Sequence, residues 1–111
     1  MPQIMIKGTT PEMMDRICRP MIRQLSEIIG CPEDWLTLEY CPSQFYTAQG
    51  AAPHYPVVQV WWFERPAPVR EATARAISRI FLQEGCPMVQ VSFHLFEKEG
   101  YYEMEPEGRS E

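Results

Sequence analysis

The sequence predicts an α+β fold in which two β-α-β units form one four-stranded mixed sheet with both helices on one face. Three observations predict it. Apolar residues recur with period two, then with helical spacing, then with period two again, and this whole succession occurs twice in the chain. Gly-Cys-Pro stands at positions 30–32 and returns at 85–87, and the same shift of 55 carries Pro11 onto Pro66, Ile22 onto Ile77 and Thr37 onto Ser92. Each strand-helix-strand run is about forty residues long, enough for a right-handed crossover between parallel strands. The repeat therefore spans 2–42 and 56–96 of a single domain covering 1–111, with a loop at 43–55 and a tail at 97–111.

The first strand starts at Pro2, with Ile4 and Ile6 on one side and Gln3, Met5 and Lys7 on the other. Gly8 ends it. Thr9 or Thr10 can cap the following helix, Pro11 suits its first turn, and Met14, Ile17, Cys18, Met21, Leu25, Ile28 and Ile29 make its apolar stripe. Pro20 falls inside that stripe, so the helix should kink near Arg16 or begin late. Gly30 closes it and Pro32 stops it resuming. Trp35 to Cys41 reads as the second strand, and residues 43–55 as a loop or irregular hairpin. Pro56 opens the most apolar strand, Val57-Val58-Gln59-Val60-Trp61-Trp62-Phe63-Glu64, which belongs in the middle of the sheet or at a subunit interface. Pro66 and Pro68 introduce a helix with the stripe Val69, Ala72, Ala76, Ile77, Ile80 and Phe81. Met88 to Phe96 is the last strand, and the charged tail should fray beyond Tyr101 and Tyr102.

Composition excludes several classes of function. Fifteen acidic residues against ten basic ones give a net charge of −5, the wrong sign for binding nucleic acid or an anionic membrane. No apolar run is long enough to span a bilayer, and the N-terminus lacks the regions of a signal peptide, so the expected location is cytoplasmic. Cys18, Cys31, Cys41 and Cys86 show no C-x-x-C spacing and read as reduced thiols. His54 and His94 lie forty residues apart without clustered carboxylates, so neither a metal nor a cofactor is expected.

Pro2 carries the chemistry. Initiator methionine is usually trimmed before so small a residue, which would leave Pro2 as an N-terminal secondary amine. Apolar burial or a cationic neighbour would push that amine's pKa down toward neutrality, where it can act as a general base. Moving a proton between carbon and oxygen also needs a partner for the developing enolate and a dry pocket. Arg65 or Lys7 can supply the cation, and Trp61, Trp62, Phe63, Tyr101 and Tyr102 the walls. Opposite the helices, the sheet face of Gln3, Lys7, Thr37, Glu39, Gln59, Trp61, Phe63, Ser92 and His94 is too apolar to remain in water. It calls for a partner copy. His94, at the repeat equivalent of Glu39, suggests a polar pair on that face.

Met1-Pro2 at the start, the strand Val58-Gln59-Val60-Trp61-Trp62-Phe63-Glu64-Arg65 and the pair Tyr101-Tyr102 together resemble the tautomerase superfamily, which includes oxalocrotonate tautomerase and macrophage migration inhibitory factor (MIF). The nearer likeness is to a bacterial family within it whose function has not been assigned. This resemblance implies a homotrimer whose three sheets form a barrel-like core, with Pro2 as catalytic base acting on a small-molecule carbonyl substrate. It also implies that Arg65 binds a substrate carboxylate, whereas the positions expected to hold a second arginine, near Thr37 or Ser92, are not basic. Two other readings stay open: a non-catalytic trimer of the same fold that binds a small molecule or a protein, and a ferredoxin-like module whose strands pair antiparallel.

Overall fold

The computed structural model describes residues 2–106. Its central sheet holds β1 (Gln3–Lys7), β2 (Thr37–Cys41), β5 (Val57–Trp62) and β6 (Gln90–Leu95) in the order β2-β1-β5-β6. β1 runs parallel to β2 and β5 parallel to β6, while the central pair β1 and β5 is antiparallel. This mixed sheet matches the expected pair of β-α-β units and rules out the ferredoxin-like arrangement. Met5 pairs with Gln59, its own equivalent under the shift of 54 that carries Pro2 onto Pro56, so the pseudo-twofold relating the units passes between them.

The first helix, α1 (Pro11–Ile29), follows β1 after the turn at Gly8. Thr10 Oγ1 accepts the amide of Met13 at 3.1 Å, and Gly30 at φ +79° ends the helix with its N–H on the carbonyl of Ser26. The helix neither starts late nor breaks at Pro20. A proline there leaves the carbonyl of Arg16 without its helical donor, but Arg16 is exposed and water can take that role. α2 (Ala67–Gln83) has no side-chain cap; Pro66 precedes it.

Both helices cover one face of the sheet. Ile4, Ile6, Val58, Val60 and Trp62 meet Ile17, Met21, Leu25, Ile77 and Phe81 in a core where each of these side chains is 1% exposed or less. Thr73 is buried there too, its hydroxyl donating to the carbonyl of Val69 at 2.8 Å.

One segment differs from expectation in detail. Trp35 belongs to a short 3-10 turn, Glu33–Trp35, rather than to β2, because Pro32 fixes an extended entry and the amide of Trp35 closes back on its carbonyl. The 43–55 connection takes the hairpin form of its expected alternatives, β3 (Phe45–Thr47) with β4 (Gly50–Ala52). Gly8, at φ +81°, lets this connection close down: a Cβ there would lie 1.9 Å from the carbonyl oxygen of Tyr55. No helix among the described residues is long and apolar enough to cross a membrane.

Candidate functional site

Pro2 shares the parity of Ile4 and Ile6, so its ring is turned toward the core and is less than 2% exposed. One step along from the Gln3–Trp61 and Gln3–Thr37 pairs, it lies abreast of Trp62 on β5 and Leu36 beside β2. Arg65 comes to the same end of the sheet. Its guanidinium carbon stands 5.6 Å from the centre of the Trp62 ring, and one of its nitrogens donates to the carbonyl of Phe63 at 2.8 Å. Burial pushes the Cys31 thiol above its ordinary pKa, and the positive charge of Arg65 acts against that rise, so Cys31 belongs to the same neighbourhood.

Next to this corner is an open recess of about 560 Å³ lined by Trp35, Phe63, Arg65, Tyr101 and Glu103. Its aromatic wall is continuous. Phe63 meets Tyr101 edge-on at 5.0 Å, and Phe96 bridges the two at 5.9 and 4.9 Å. The Tyr101 hydroxyl donates to Glu103 at 2.7 Å, which raises the pKa of the phenol above its usual value. This bond ties the tail one residue past the tyrosines, to Glu103; its last five positions, 107–111, lie outside the described residues.

The structure brings Phe63, Arg65 and Tyr101 together in the recess and leaves the other sequence-predicted residues elsewhere. Pro2 lies at the same end of the sheet without lining the recess. Trp62 is in the core, 1% exposed and stacked on Phe93 at 5.1 Å, since its parity along β5 turns it toward the helices. It acts as a floor beneath Arg65 and not as a wall. Trp61, on the open face, stacks on His94 at 4.5 Å, and Tyr102 is 76% exposed. Lys7 stands at the far end of β1, five residues and roughly 17 Å from Pro2 at ~3.3 Å per residue. There it borders a second recess of about 400 Å³ with Phe45, Tyr46, Tyr55 and Gln90. His94 does not pair with Glu39: β6 and β2 are opposite edges of the sheet, and His94 instead bonds Ser92 Oγ at 2.9 Å.

Trp35 and Glu103 are lining residues that sequence reasoning missed. In sequence Trp35 reads as the start of a strand, and Glu103 as one more charge in an acidic tail. Only the spacing of two positions between Tyr101 and Glu103 could have hinted at its role. Among the described residues no group of three or more His, Cys, Asp or Glu is placed to hold a metal ion.

No curated protein matches the chain. Among solved structures it is similar to a domain of unknown function (DUF1904) from Sebaldella termitidis ATCC 33386, with 25% identity and a TM-score of 0.87 over 93% of this chain and 95% of that one. The MIF-like protein of Entamoeba histolytica shares 14% identity at a TM-score of 0.71, covering 93% and 95% of the two chains. A structure of Pt0534 inactivated by 2-oxo-3-pentynoate shares 18% identity at 0.74, covering 96% and 91%. These likenesses identify the fold as that of MIF and the tautomerases. The family model for the domain of unknown function DUF1904 spans residues 1–107, and the chain belongs to that family.

Proposed function

We propose that this protein is a keto-enol tautomerase or isomerase, in which the ring nitrogen of Pro2, freed by removal of Met1, is the general base for a small enolisable carbonyl compound. The observation that carries this reading is the burial of Pro2 at the sheet end where Arg65 stands over Trp62. Apolar surroundings and a cation at the same end of the sheet both disfavour the protonated form of an amine, the direction a general base needs. The nitrogen takes a proton from the substrate and returns it to the other end of the enol system, so no proton is gained or lost overall. Arg65 is the donor for the developing enolate or for a carboxylate beside it, and Phe63 and Tyr101 restrict water. Similarity in fold to a protein inactivated by 2-oxo-3-pentynoate supports a 2-oxo acid as the class of ligand.

In this reading the working unit is a homotrimer in the cytoplasm. The half-buried aromatic face of Trp61 and His94 packs against neighbouring copies, and a neighbour completes the enclosure of the recess beside Pro2. Light scattering giving three times the monomer mass supports this; a monomer contradicts it. Ketonisation of phenylpyruvate, compared between the native protein and Pro2→Ala, tests the chemistry. Loss of the base lowers kcat/KM by about 10²–10⁴-fold; equal rates end the proposal. One observation favours a second reading, a non-catalytic binder: Pro2 does not line the recess that holds Arg65. Ligand binding without Pro2-dependent turnover would select it.

A further inference from the structure

Resting on the tautomerase reading of this end of the sheet, we propose that the recess selects aromatic monocarboxylates and rejects dicarboxylates, with Glu103 as the residue that rejects the second carboxylate. Five side chains line it: one cation, Arg65, one anion, Glu103, and three aromatic rings, Trp35, Phe63 and Tyr101. Arg65 and Glu103 are not joined to each other; the one ion pair among the described residues is Arg16 with Glu84. The space between them is open to a ligand.

Each charge constrains what that ligand is. Arg65 spends one nitrogen on the Phe63 carbonyl at 2.8 Å, which fixes the guanidinium while leaving its other donors for a carboxylate. Phe63 and Tyr101, edge to face at 5.0 Å, and Trp35, 47% exposed, offer ring surface to an aromatic body. Glu103 is anchored by the Tyr101 hydroxyl at 2.7 Å, which uses one of its acceptor positions and leaves the remainder for a donor such as an enol hydroxyl. A second carboxylate reaching past the rings meets this fixed negative charge. Glu103 is exposed, so water screens the repulsion, which amounts to about a threefold loss of affinity.

The test is binding, measured by calorimetry with ligands that cannot enolise, so that it does not depend on Pro2. The pair is 3-phenylpropionate and 3-(4-carboxyphenyl)propionate, identical except for a carboxylate at the far end of the ring. Native protein should bind the monocarboxylate at least about threefold more tightly. In Glu103→Gln that gap should close to near equality, through tighter binding of the dicarboxylate, and Arg65→Gln should weaken both ligands about tenfold or more. Circular dichroism spectra and melting temperatures matching the native protein would show that both variants fold. Equal affinity in the native protein, a gap unchanged in Glu103→Gln, or no binding of either ligand overturns the inference. If Pro2-dependent ketonisation persists in any of those cases, only the charge rule falls. Should the gap behave as expected while Pro2→Ala keeps its rate, the rule stands and the reaction falls.

Discussion

The two ends of the central sheet are built from equivalent pieces of the repeat and finished in opposite ways. At one end β1 begins at Pro2, and at the other β5 begins at Pro56; both prolines are buried. Phe63 corresponds to Gly8 under the shift of 55. Phe63 is a large ring that holds Tyr101 and the tail, whereas Gly8 is an absence of side chain that lets the Tyr55 carbonyl and the hairpin settle against the backbone. Arg65 corresponds to Thr10, which caps α1, so the cation has no counterpart in the first unit. The repeat sets the architecture, and chemistry collects where its two copies diverge.

That contrast can be broken one end at a time. Trp62→Ala removes the floor under Arg65 and the stack on Phe93, and should cost about 3–5 kcal/mol in urea unfolding, enough to leave the domain barely folded. Gly8→Ala tests the other end. A methyl group in collision with the Tyr55 carbonyl, at a positive φ, should cost about 3 kcal/mol and release the hairpin to proteolysis, with the recess at the Pro2 end left intact. Thr10→Ala removes the cap that α1 has and α2 lacks, for about 1 kcal/mol. Smallest is Arg16→Ala. Its bond to Glu84 at 2.9 Å is largely solvated, so the loss should stay within about 0.5 kcal/mol and vanish at high salt.

Much of the fold was legible because its signals are local and repeated. Gly30 and Gly85, the period-two strands and the shift of 55 together specify the sheet and its two helices. Pro20 misled as a supposed break, since a single solvated carbonyl is tolerable when Ile17, Met21 and Leu25 bury the stripe on either side. Period two also separates Trp61 from Trp62, and applying it strictly removes Trp62 from the list of pocket walls. The site was less legible because it is made by the chain folding back on itself. Trp35 and Glu103 are 68 positions apart and meet only through the 3-10 turn after Pro32 and the tail's return over Phe63. Lys7 fits the chemistry as well as Arg65 does until the length of β1 sets it at the wrong end.

The most direct test compares ketonisation of phenylpyruvate by one preparation before and after protease removal of an N-terminal extension placed ahead of Pro2, with mass spectrometry to establish the first residue. The account predicts activity at background level while the ring nitrogen is an amide, rising about a hundredfold or more once Pro2 is the free terminus. Equal rates in the two forms would contradict it.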